Sequence, residues 1–321
     1  MKTVSLARNA MATRFEMVLH GEGELGLRAA GEEALDEITA LAAQLSFYGV
    51  DSEISRINTG AAFGPVPVEP GLFRLLLEAK CVHELSGGAF DITVAPLMRC
   101  WGFADGKHRV PSPKELAEAR ECVGMDLVHL DAENFTVQFE RPGVRIDLGA
   151  IGKGFALQIA GEILREAGIT SALIQGGTST VCAIGTPPGE GFWKVAIEHP
   201  GWEQPGADIL DHERLVAVAK LHDESFSVSA GWGKAFEENG VSYGHVLDPR
   251  SGLPTHNALL AAVALAGGTV ADAWSTALLV LGGAGPASLG QAGESARSLL
   301  MLPDGDSGFL LVNNGFESAE S

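Results

Sequence analysis

The sequence predicts an α+β fold, because segments patterned as strands outnumber those patterned as helices and the two do not alternate strictly along the chain. With 321 residues, 46% of them apolar, the chain is long and hydrophobic enough to bury a full core. Neither a repeat nor a long linker interrupts it. We therefore expect a single domain over residues 1–321, with room for two intimately packed subdomains.

In the first half of the chain, apolar residues recur either at every second position or at helical spacing. The alternating pattern predicts strands at 13–19, 135–139 and 144–148. The helical spacing predicts helices at 24–45 and 72–85. Ser112 and Glu115, with Pro113 between them, fit a capping box at the start of a further helix. Residues 47–58 follow neither period and are interpreted as a mixed segment with a turn.

The second half begins with a glycine-rich turn at 149–154, which leads into a helix that ends at Gly168. Further strands are predicted at 172–175, 193–198, 215–220, 226–229, 258–266, 299–301 and 309–312. Gly267-Gly268 ends the strand before it. The alanine- and leucine-rich residues 271–281 then have the length and composition of a helix.

The charge balance excludes one large class of function. The net charge is −19, whereas nucleic-acid backbones are bound through an excess of lysine and arginine. We therefore expect no nucleic-acid partner. If so acidic a chain binds a phosphorylated ligand, a divalent cation at an acidic site would offset the repulsion.

The cysteines and the N-terminus indicate a compartment. The four cysteines are widely separated and match neither zinc-ligand nor CxxC spacing, so we expect reduced thiols. The N-terminus lacks the apolar run of a signal peptide. We expect a cytoplasmic protein as the sequence is written, and a periplasmic or lipid-anchored one if a leader has been removed. The uncharged stretch near residue 272 is broken by glycines and prolines, which argues against a transmembrane segment.

Asp272 is the only formally charged residue between Arg250 and Glu294. A carboxylate in so apolar a run is costly to desolvate unless a cation or several hydrogen-bond donors hold it. In a helix that starts at Ala271, Asp272 falls in the first turn and Thr276 projects from the same face. Two oxygen ligands at that spacing suit a hard cation such as Mg²⁺. The alternative is that Asp272 is an N-cap or first-turn acid favoured by the helix dipole.

Three further segments have the density of glycine, aspartate and small residues that active sites need. They are 87–97 with the nearby 101–103, 145–154, and 243–252. In the second segment, a helix N-terminus presents N–H groups to an anion and Lys153 adds a cation. In the third, Asp248 would orient His245 as a base. The plainer alternatives are tight turns and a structural histidine.

These segments and several others occur together in one order. They are Met11-Ala12-Thr13, Phe47-Tyr48, residues 51–58, 88–93, 101–103, 146–154, Gly176-Gly177, 245–252 and 271–276. In that order and with those residues, the chain resembles the ApbE-type FAD:protein FMN transferases from Met11 to about Gly282. The resemblance implies a T-fold-like α+β architecture, with mixed or antiparallel sheets flanked by helices.

The resemblance also implies a function. Enzymes of this type move the FMN half of FAD onto a threonine or serine hydroxyl of a target flavoprotein and release AMP. FAD is the donor substrate and Mg²⁺ is the catalytic ion. For this chain, the implied partners are therefore FAD and a flavoprotein that carries the acceptor residue. We expect no transmembrane segment in this chain, for the reasons given above.

Carried over motif by motif, the resemblance implies roles for particular residues. The Mg²⁺ ligands would be the Ala150 carbonyl, Asp272 and Thr276. The flavin contacts would be Met11, Tyr48, Ala89, Phe90, Asp91, Asp147, Lys153, His245 and Val246. His245 is also the candidate base for the acceptor hydroxyl, a role that contributes roughly 10²–10⁴-fold. Asp272 would be catalytic through the cation that it holds.

The chain departs from the family pattern in three places. Ser229-Ala230-Gly231 stands where Thr-Ser-Gly is usual, and Met11-Ala12-Thr13 replaces Met-Gly-Thr. Gly176-Gly177-Thr178 replaces Gly-Gly-Asp, which removes a carboxylate near the cofactor region. Two other functions use the same residues. With water as acceptor the chain would be an FAD pyrophosphatase that yields FMN and AMP, and without partner recognition it would be a non-catalytic FAD-binding protein.

Overall fold

The computed structural model describes residues 1–199, 215–231, 235–291, 295–305 and 308–318. The described strands are β1 Lys2–Ala10, β2 Thr13–Gly21, β3 Val66–Pro67, β4 Val128–Asp131, β5 Thr136–Phe139, β6 Ser171–Gly176, β7 Thr180–Ile184, β8 Trp193–Glu198, β9 Leu215–Leu221, β10 Ser225–Ala230, β11 Ala235–Glu238, β12 Val241–Gly244, β13 Leu247–Asp248, β14 Leu253–Pro254, β15 Leu260–Leu265, β16 Arg297–Asp304, β17 Gly308–Asn314 and β18 Glu317–Ser318. The described α-helices are α1 Glu24–Gln44, α2 Glu53–Gly60, α3 Pro70–Leu85, α4 Ala95–Cys100, α5 Pro113–Arg120, α6 Gly152–Glu166, α7 Gly268–Leu281 and α8 Gly285–Leu289.

One large sheet organises these elements. Its strand order is β1-β2-β6-β7-β10-β15-β16-β17, and every described pair in it is antiparallel. Helices α1, α6 and α7 pack on one face, and the small sheet β18-β9-β8 packs on the other. Because both faces are covered, β15 is buried at every position, which explains its unbroken apolar sequence. The predicted α+β class is therefore confirmed.

Most sequence-predicted elements are present with bounds shifted by one to three residues. The capping box at Ser112 and Glu115 forms as predicted, with each side chain bonded to the other residue's backbone N–H. The mixed segment 47–58 is wrong in its second part, because α2 begins after Ser52, whose hydroxyl accepts from the N–H of Ser55. Ser52 is an N-cap residue, which is a local sequence signal for a helix start. The helix is too short for the spacing of its apolar residues to reveal it.

The predicted strand 144–148 is a correction of a different kind. Val144, Ile146 and Leu148 are buried in alternation, but the segment has no regular secondary structure and pairs with no strand that the structure describes. The side chain of Asn58 takes the place of a neighbouring strand. Its amide donates to the carbonyl of Ile146 at 2.9 Å and accepts from the N–H of Ile146 at 2.8 Å. The alternation was therefore a correct signal of burial, and the hydrogen-bond partner is a side chain.

Helix α7 begins three residues before the predicted start, at Gly268. Asp272 consequently lies in the second turn rather than the first, so it does not cap its own helix. The helix is 14 residues long. Within the described ranges, no helix is both long and apolar enough to cross a membrane.

We expect Asn58→Ala to lower the free energy of unfolding by about 1–3 kcal/mol, because it leaves the N–H and C=O of Ile146 without their partner. Urea denaturation of the whole chain measures this change. Thr59→Ala is the matched control, since Thr59 is exposed and bonds only within its own helix. Equal effects of the two substitutions would contradict the role of Asn58.

Candidate active site

The first turns of α6 and α7 meet at two glycines. A Cβ atom added to Gly154 would lie 2.2 Å from the carbonyl oxygen of Gly268 and 2.6 Å from the Cβ of Asp272. One added to Gly268 would lie 2.7 Å from the carbonyl oxygen of Gly154. These distances are shorter than any side chain tolerates, so only glycine permits this approach. The approach brings Asp272 to the start of α6.

The carboxylate of Asp272 is 3% exposed and is held by several donors from other elements. Its Oδ2 accepts from the N–H of Gly154 at 2.9 Å. Its Oδ1 accepts from the Ser227 hydroxyl at 2.9 Å and the Thr180 hydroxyl at 3.3 Å. The ammonium of Lys153 lies 3.6 Å from the same oxygen. This shell offsets the cost of desolvating the charge.

Asp272 therefore stabilises the N-terminus of another helix. Gly154 is the third residue of α6, and its N–H has no intrahelical partner there. The residue before α6, Ile151, offers no side-chain cap. A carboxylate at this point also interacts favourably with the positive end of the helix dipole. The alternative prediction, that Asp272 is a capping acid, was thus correct, but Asp272 caps α6 and not its own helix α7.

A second layer of hydroxyl groups continues from Asp272 to Thr276. The Ser229 hydroxyl lies 2.7 Å from the Ser275 hydroxyl and 3.2 Å from the Thr276 hydroxyl. Ser275 in turn donates to the carbonyl of Asp272 at 2.8 Å. Strand β10 thus fixes the side chains of α7 on the face that carries both Asp272 and Thr276.

A cleft of about 380 Å³ opens over these groups. Its volume falls in the range of small-molecule sites, roughly 300–1,000 Å³. Its walls are Ala89, Phe90, Asp91, Ile92, Val94, Met98, Asp147, Gly149, Ala150, Lys153, Ser179, Val228, Ser229, Ala230, His245, Val246, Leu247, Pro249, Asp272 and Thr276. All sequence-predicted site residues except Met11 and Tyr48 are among them. Segments remote in the chain therefore converge on one space.

The two remaining predicted residues lie elsewhere on the surface. Met11 is in the turn between β1 and β2, has a positive φ of 48°, and lines a separate shallow groove formed by residues 9–14. Tyr48 is 73% exposed, and its hydroxyl lies 3.4 Å from the carbonyl oxygen of Ala104. Desolvation and then the charge of Asp147 raise the pKa of Tyr48.

Asp91 and Asp147 are two further acids that line the cleft. Asp91 is 7% exposed, and its Oδ1 accepts from the N–H and the hydroxyl of Thr93 at 2.7 and 2.6 Å. Its Oδ2 lies 3.2 Å from Nδ1 of His83, a nitrogen that also lies 3.0 Å from the carbonyl oxygen of Phe90. Burial lowers the pKa of His83, but the hydrogen bond and charge of Asp91 outweigh it, so the net pKa is raised. Asp91 thus braces the turn that carries Ala89 and Phe90.

Asp147 is the acid next to the glycine-rich turn. Its Oδ1 accepts from the N–H of Gly149 at 2.8 Å, and its own N–H donates to the carbonyl of Ile92 at 2.7 Å. Burial raises the pKa of Asp147, and the Gly149 bond opposes that effect. Asp147 thus joins the glycine-rich turn to the segment that carries Ile92, and it lines the cleft.

His245 lines the cleft from the bend between β12 and β13. Asp248, which the sequence suggested as the residue that orients His245, bonds to Arg250. Both oxygens of Asp248 form a bidentate pair with the Arg250 guanidinium, at 2.8 Å each. Arg250 also lies against Gly88, at 3.5 Å from where a Cβ would be. Asp248 therefore fixes Arg250 beside the 87–97 segment.

Four polar residues near Asp272 and Thr276 are not part of the motifs recognised in the sequence. They are Ser179, Thr180, Ser227 and Ser229. A signal for two of them was present, because Ser227 and Ser229 alternate along the strand predicted at 226–229 and so share a face. Two serines on one face of that strand indicate a polar neighbour, and the groups they bond are Asp272 and Thr276 of α7.

The oxygen atoms near Asp272 are of the types that a hard cation prefers as ligands. Ala150, Asp272 and Thr276 offer a carbonyl, a carboxylate and a hydroxyl to one cleft. Within the described ranges, no group of three or more His, Cys, Asp or Glu side chains could hold a metal ion. A cation here would therefore take one acidic ligand from the protein and further oxygens from a ligand or water.

The ApbE family model matches residues 11–296 of this chain. The FAD:protein FMN transferase of Haemophilus influenzae is 32% identical over 292 residues, which cover 88% of this chain and 81% of that protein. The FAD:protein FMN transferase of Treponema pallidum is 31% identical over 290 residues, which cover 84% of this chain and 77% of that protein. The match thus includes the whole candidate site.

Solved structures agree with the fold. The ApbE protein of Thermotoga maritima superposes with a TM-score of 0.84 and 27% identity, covering 98% of this chain and 97% of its own. The flavin transferase ApbE of Vibrio cholerae superposes with a TM-score of 0.83 and 25% identity, covering 98% and 97%. The predicted ApbE architecture is confirmed by these similarities.

We expect Gly154→Ala to destabilise the chain by about 1–3 kcal/mol, because the added methyl group collides with the backbone of α7 and forces the helices apart. The midpoint of urea denaturation measures this. Gly26→Ala is the control, since Gly26 lies in α1 with no atom within 4 Å of its added Cβ. An unchanged midpoint in Gly154→Ala would contradict the close approach described above.

Proposed function

The chain belongs to the ApbE family, and we propose that it transfers the FMN half of FAD to a threonine or serine hydroxyl of a target flavoprotein, with release of AMP. The observation that carries this proposal is the buried Asp272 carboxylate, which forms one wall of a cleft together with Thr276, Ala150 and Lys153. With a divalent cation held by its oxygen atoms, this set of groups would bind a diphosphate.

The proposed reaction is a substitution at phosphorus. The acceptor hydroxyl oxygen attacks the phosphorus on the flavin side of the diphosphate and forms a new ester bond. The bond from that phosphorus to the bridging oxygen breaks, and AMP leaves with the bridging oxygen. The hydroxyl proton must pass to a base. Catalysis of this kind depends on positioning and on neutralising negative charge.

The fit of Ala150, Asp272 and Thr276 to a hard cation supports Mg²⁺ as the metal, with these three residues as its protein ligands. When bound, Mg²⁺ would neutralise charge on the diphosphate oxygens and act as a Lewis acid. The side chains of Ser227, Thr180 and Ser229 would keep the ligands Asp272 and Thr276 in place through the hydrogen bonds described above.

The first turn of α6 would bind the diphosphate from the other side. Lys153 reaches into the cleft with its ammonium near Asp272, so it can attract an anion that enters there. Asp147, Ala89 and Phe90 line the part of the cleft next to it and supply polar and apolar surface for the isoalloxazine ring. Arg250 adds a cation outside this wall, fixed by Asp248.

His245 is the proposed base that accepts the proton of the acceptor hydroxyl. It lines the same cleft as Asp272 and Lys153, on a bend rather than on a strand. An imidazole is suited to this role because it accepts protons at neutral pH. In this arrangement, the acceptor would enter between His245 and the diphosphate.

Hydrolysis is the second candidate, since water can replace the hydroxyl in the same cleft. Incubation with FAD, Mg²⁺ and a flavoprotein domain that carries an acceptor threonine separates the candidates. Covalent flavin on the domain, seen by mass spectrometry and in-gel fluorescence, supports transfer. Free FMN and AMP alone would indicate a pyrophosphatase, and intact FAD would indicate a binding protein.

We expect Asp272→Asn to lower the rate of flavin transfer by at least about 10²-fold, because the loss of a charged ligand removes several kcal/mol of charge stabilisation. The amide keeps the shape of the side chain, so circular dichroism should show an unchanged fold. Asp304→Asn serves as control, since Asp304 is exposed on β16. Full activity of Asp272→Asn at limiting Mg²⁺ would rule out its role as a ligand.

For His245→Ala, we expect transfer to slow by roughly 10²–10⁴-fold while FAD still binds, because a base acts on the chemical step and not on the cofactor. Quenching of flavin fluorescence measures binding, and single-turnover transfer measures the step. His129→Ala is the control at an exposed surface histidine. Loss of FAD binding in His245→Ala would instead make His245 a cofactor contact.

A further inference from the structure

Gln158 lies one turn after Gly154 on α6, outside the cleft, and faces the start of α7. Its Oε1 accepts from the backbone N–H of Thr269 at 3.2 Å and from the hydroxyl of Thr269 at 2.9 Å. Thr269 is fully buried, and α7 has no cap from its own preceding residue, Gly267. Gln158 therefore supplies from α6 the acceptor that the first turn of α7 lacks.

This contact mirrors the one made by Asp272. A side chain of α7, Asp272, accepts from the first turn of α6, and a side chain of α6, Gln158, accepts from the first turn of α7. Each helix thus caps the other. With Gly154 and Gly268 in direct backbone contact between them, the two bonds fix both the distance and the rotation of one helix relative to the other.

We propose that Gln158 is a positioning residue for the active site, because it sets the register of α7 and with it the places of Asp272 and Thr276. The effect on the active site rests on the proposed function, since Asp272 and Thr276 are the proposed cation ligands. Asp272 and Thr276 lie three and seven residues after Thr269 on the same helix. A rotation of α7 about its axis would therefore move both away from Ala150 and Lys153.

The surroundings of Gln158 determine which substitutions are informative. Its Nε2 lies 3.4 Å from a carboxylate oxygen of Glu162. Burial raises the pKa of Glu78 on α3, and the Thr269 side chain and the charge of Arg74 oppose that effect. The Oε2 of Glu78 is buried without a hydrogen-bond partner. The Oε1 acceptor is thus the feature to remove or retain.

Gln158→Met removes the acceptor and keeps the length of the side chain, whereas Gln158→Glu keeps an acceptor at the same place. Amide hydrogen exchange of the free chain reports on the N–H of Gly154, which Asp272 holds. We expect Gln158→Met to speed this exchange roughly tenfold, as the loss of two hydrogen bonds implies. Gln158→Glu should restore part of the slow exchange, because its carboxylate still accepts from Thr269 while the nearby carboxylate of Glu162 opposes the added charge.

The second measurement is the affinity for Mn²⁺ in the presence of FAD, from the electron paramagnetic resonance signal of free Mn²⁺. Residues that orient metal ligands typically contribute 10–100-fold to affinity, and we expect a loss in that range for Gln158→Met. Gln175→Met is the matched control, since Gln175 is half-buried and its amide bonds only Glu16 on β2. It should change neither measurement.

The outcomes separate this inference from the proposed function. If the unaltered chain binds no Mn²⁺, the proposed cation is wrong, and exchange at Gly154 still decides the role of Gln158. Unchanged exchange at Gly154 in Gln158→Met overturns the inference, whatever happens to the melting temperature. Should Gln158→Met fail to fold, Thr269→Val removes only the hydroxyl bond, and it must show faster exchange at Gly154 for the inference to stand.

Discussion

The contact between the first turns of α6 and α7 is the constraint on which the rest of the site depends. Gly154 and Gly268 let two backbones approach to a distance that no side chain permits. The N-terminus of each helix then lies next to a side chain of the other helix. The buried carboxylate of Asp272 is held by the N–H of Gly154 and the ammonium of Lys153. Without this approach, the buried charge of Asp272 would keep only the hydroxyl donors Ser227 and Thr180 of the sheet.

The large sheet supports this contact from below. Strand β10 directs Ser227 towards Asp272 and Ser229 towards Thr276, while its opposite face packs Phe226 against the small sheet. The departure of Ser229 from the usual threonine is therefore mild, since serine keeps the hydroxyl that bonds Thr276. At Ala230, by contrast, a hydroxyl is missing from the wall of the cleft.

Three aspartates line the cleft, and each is stabilised differently. Asp91 is bonded by Thr93 and His83, Asp147 by the N–H of Gly149, and Asp272 by three hydrogen-bond donors and the ammonium of Lys153. In a chain with a net charge of −19, such a cleft repels a diphosphate unless cations compensate. The positions of Lys153 and of the proposed Mg²⁺ ligands are consistent with that requirement.

The sequence alone determined the α+β class, the approximate places of most predicted elements and the segments that form the site, because these depend on local periodicity, glycine-rich turns and motif order. It also identified Asp272, since a single charge in an apolar run requires compensation wherever it lies. Only the tertiary structure decided what compensates it. The bonds of Asn58 to Ile146, of Asp272 to Gly154 and of Gln158 to Thr269 join residues far apart in the chain, and local sequence patterns carry no information about such pairings.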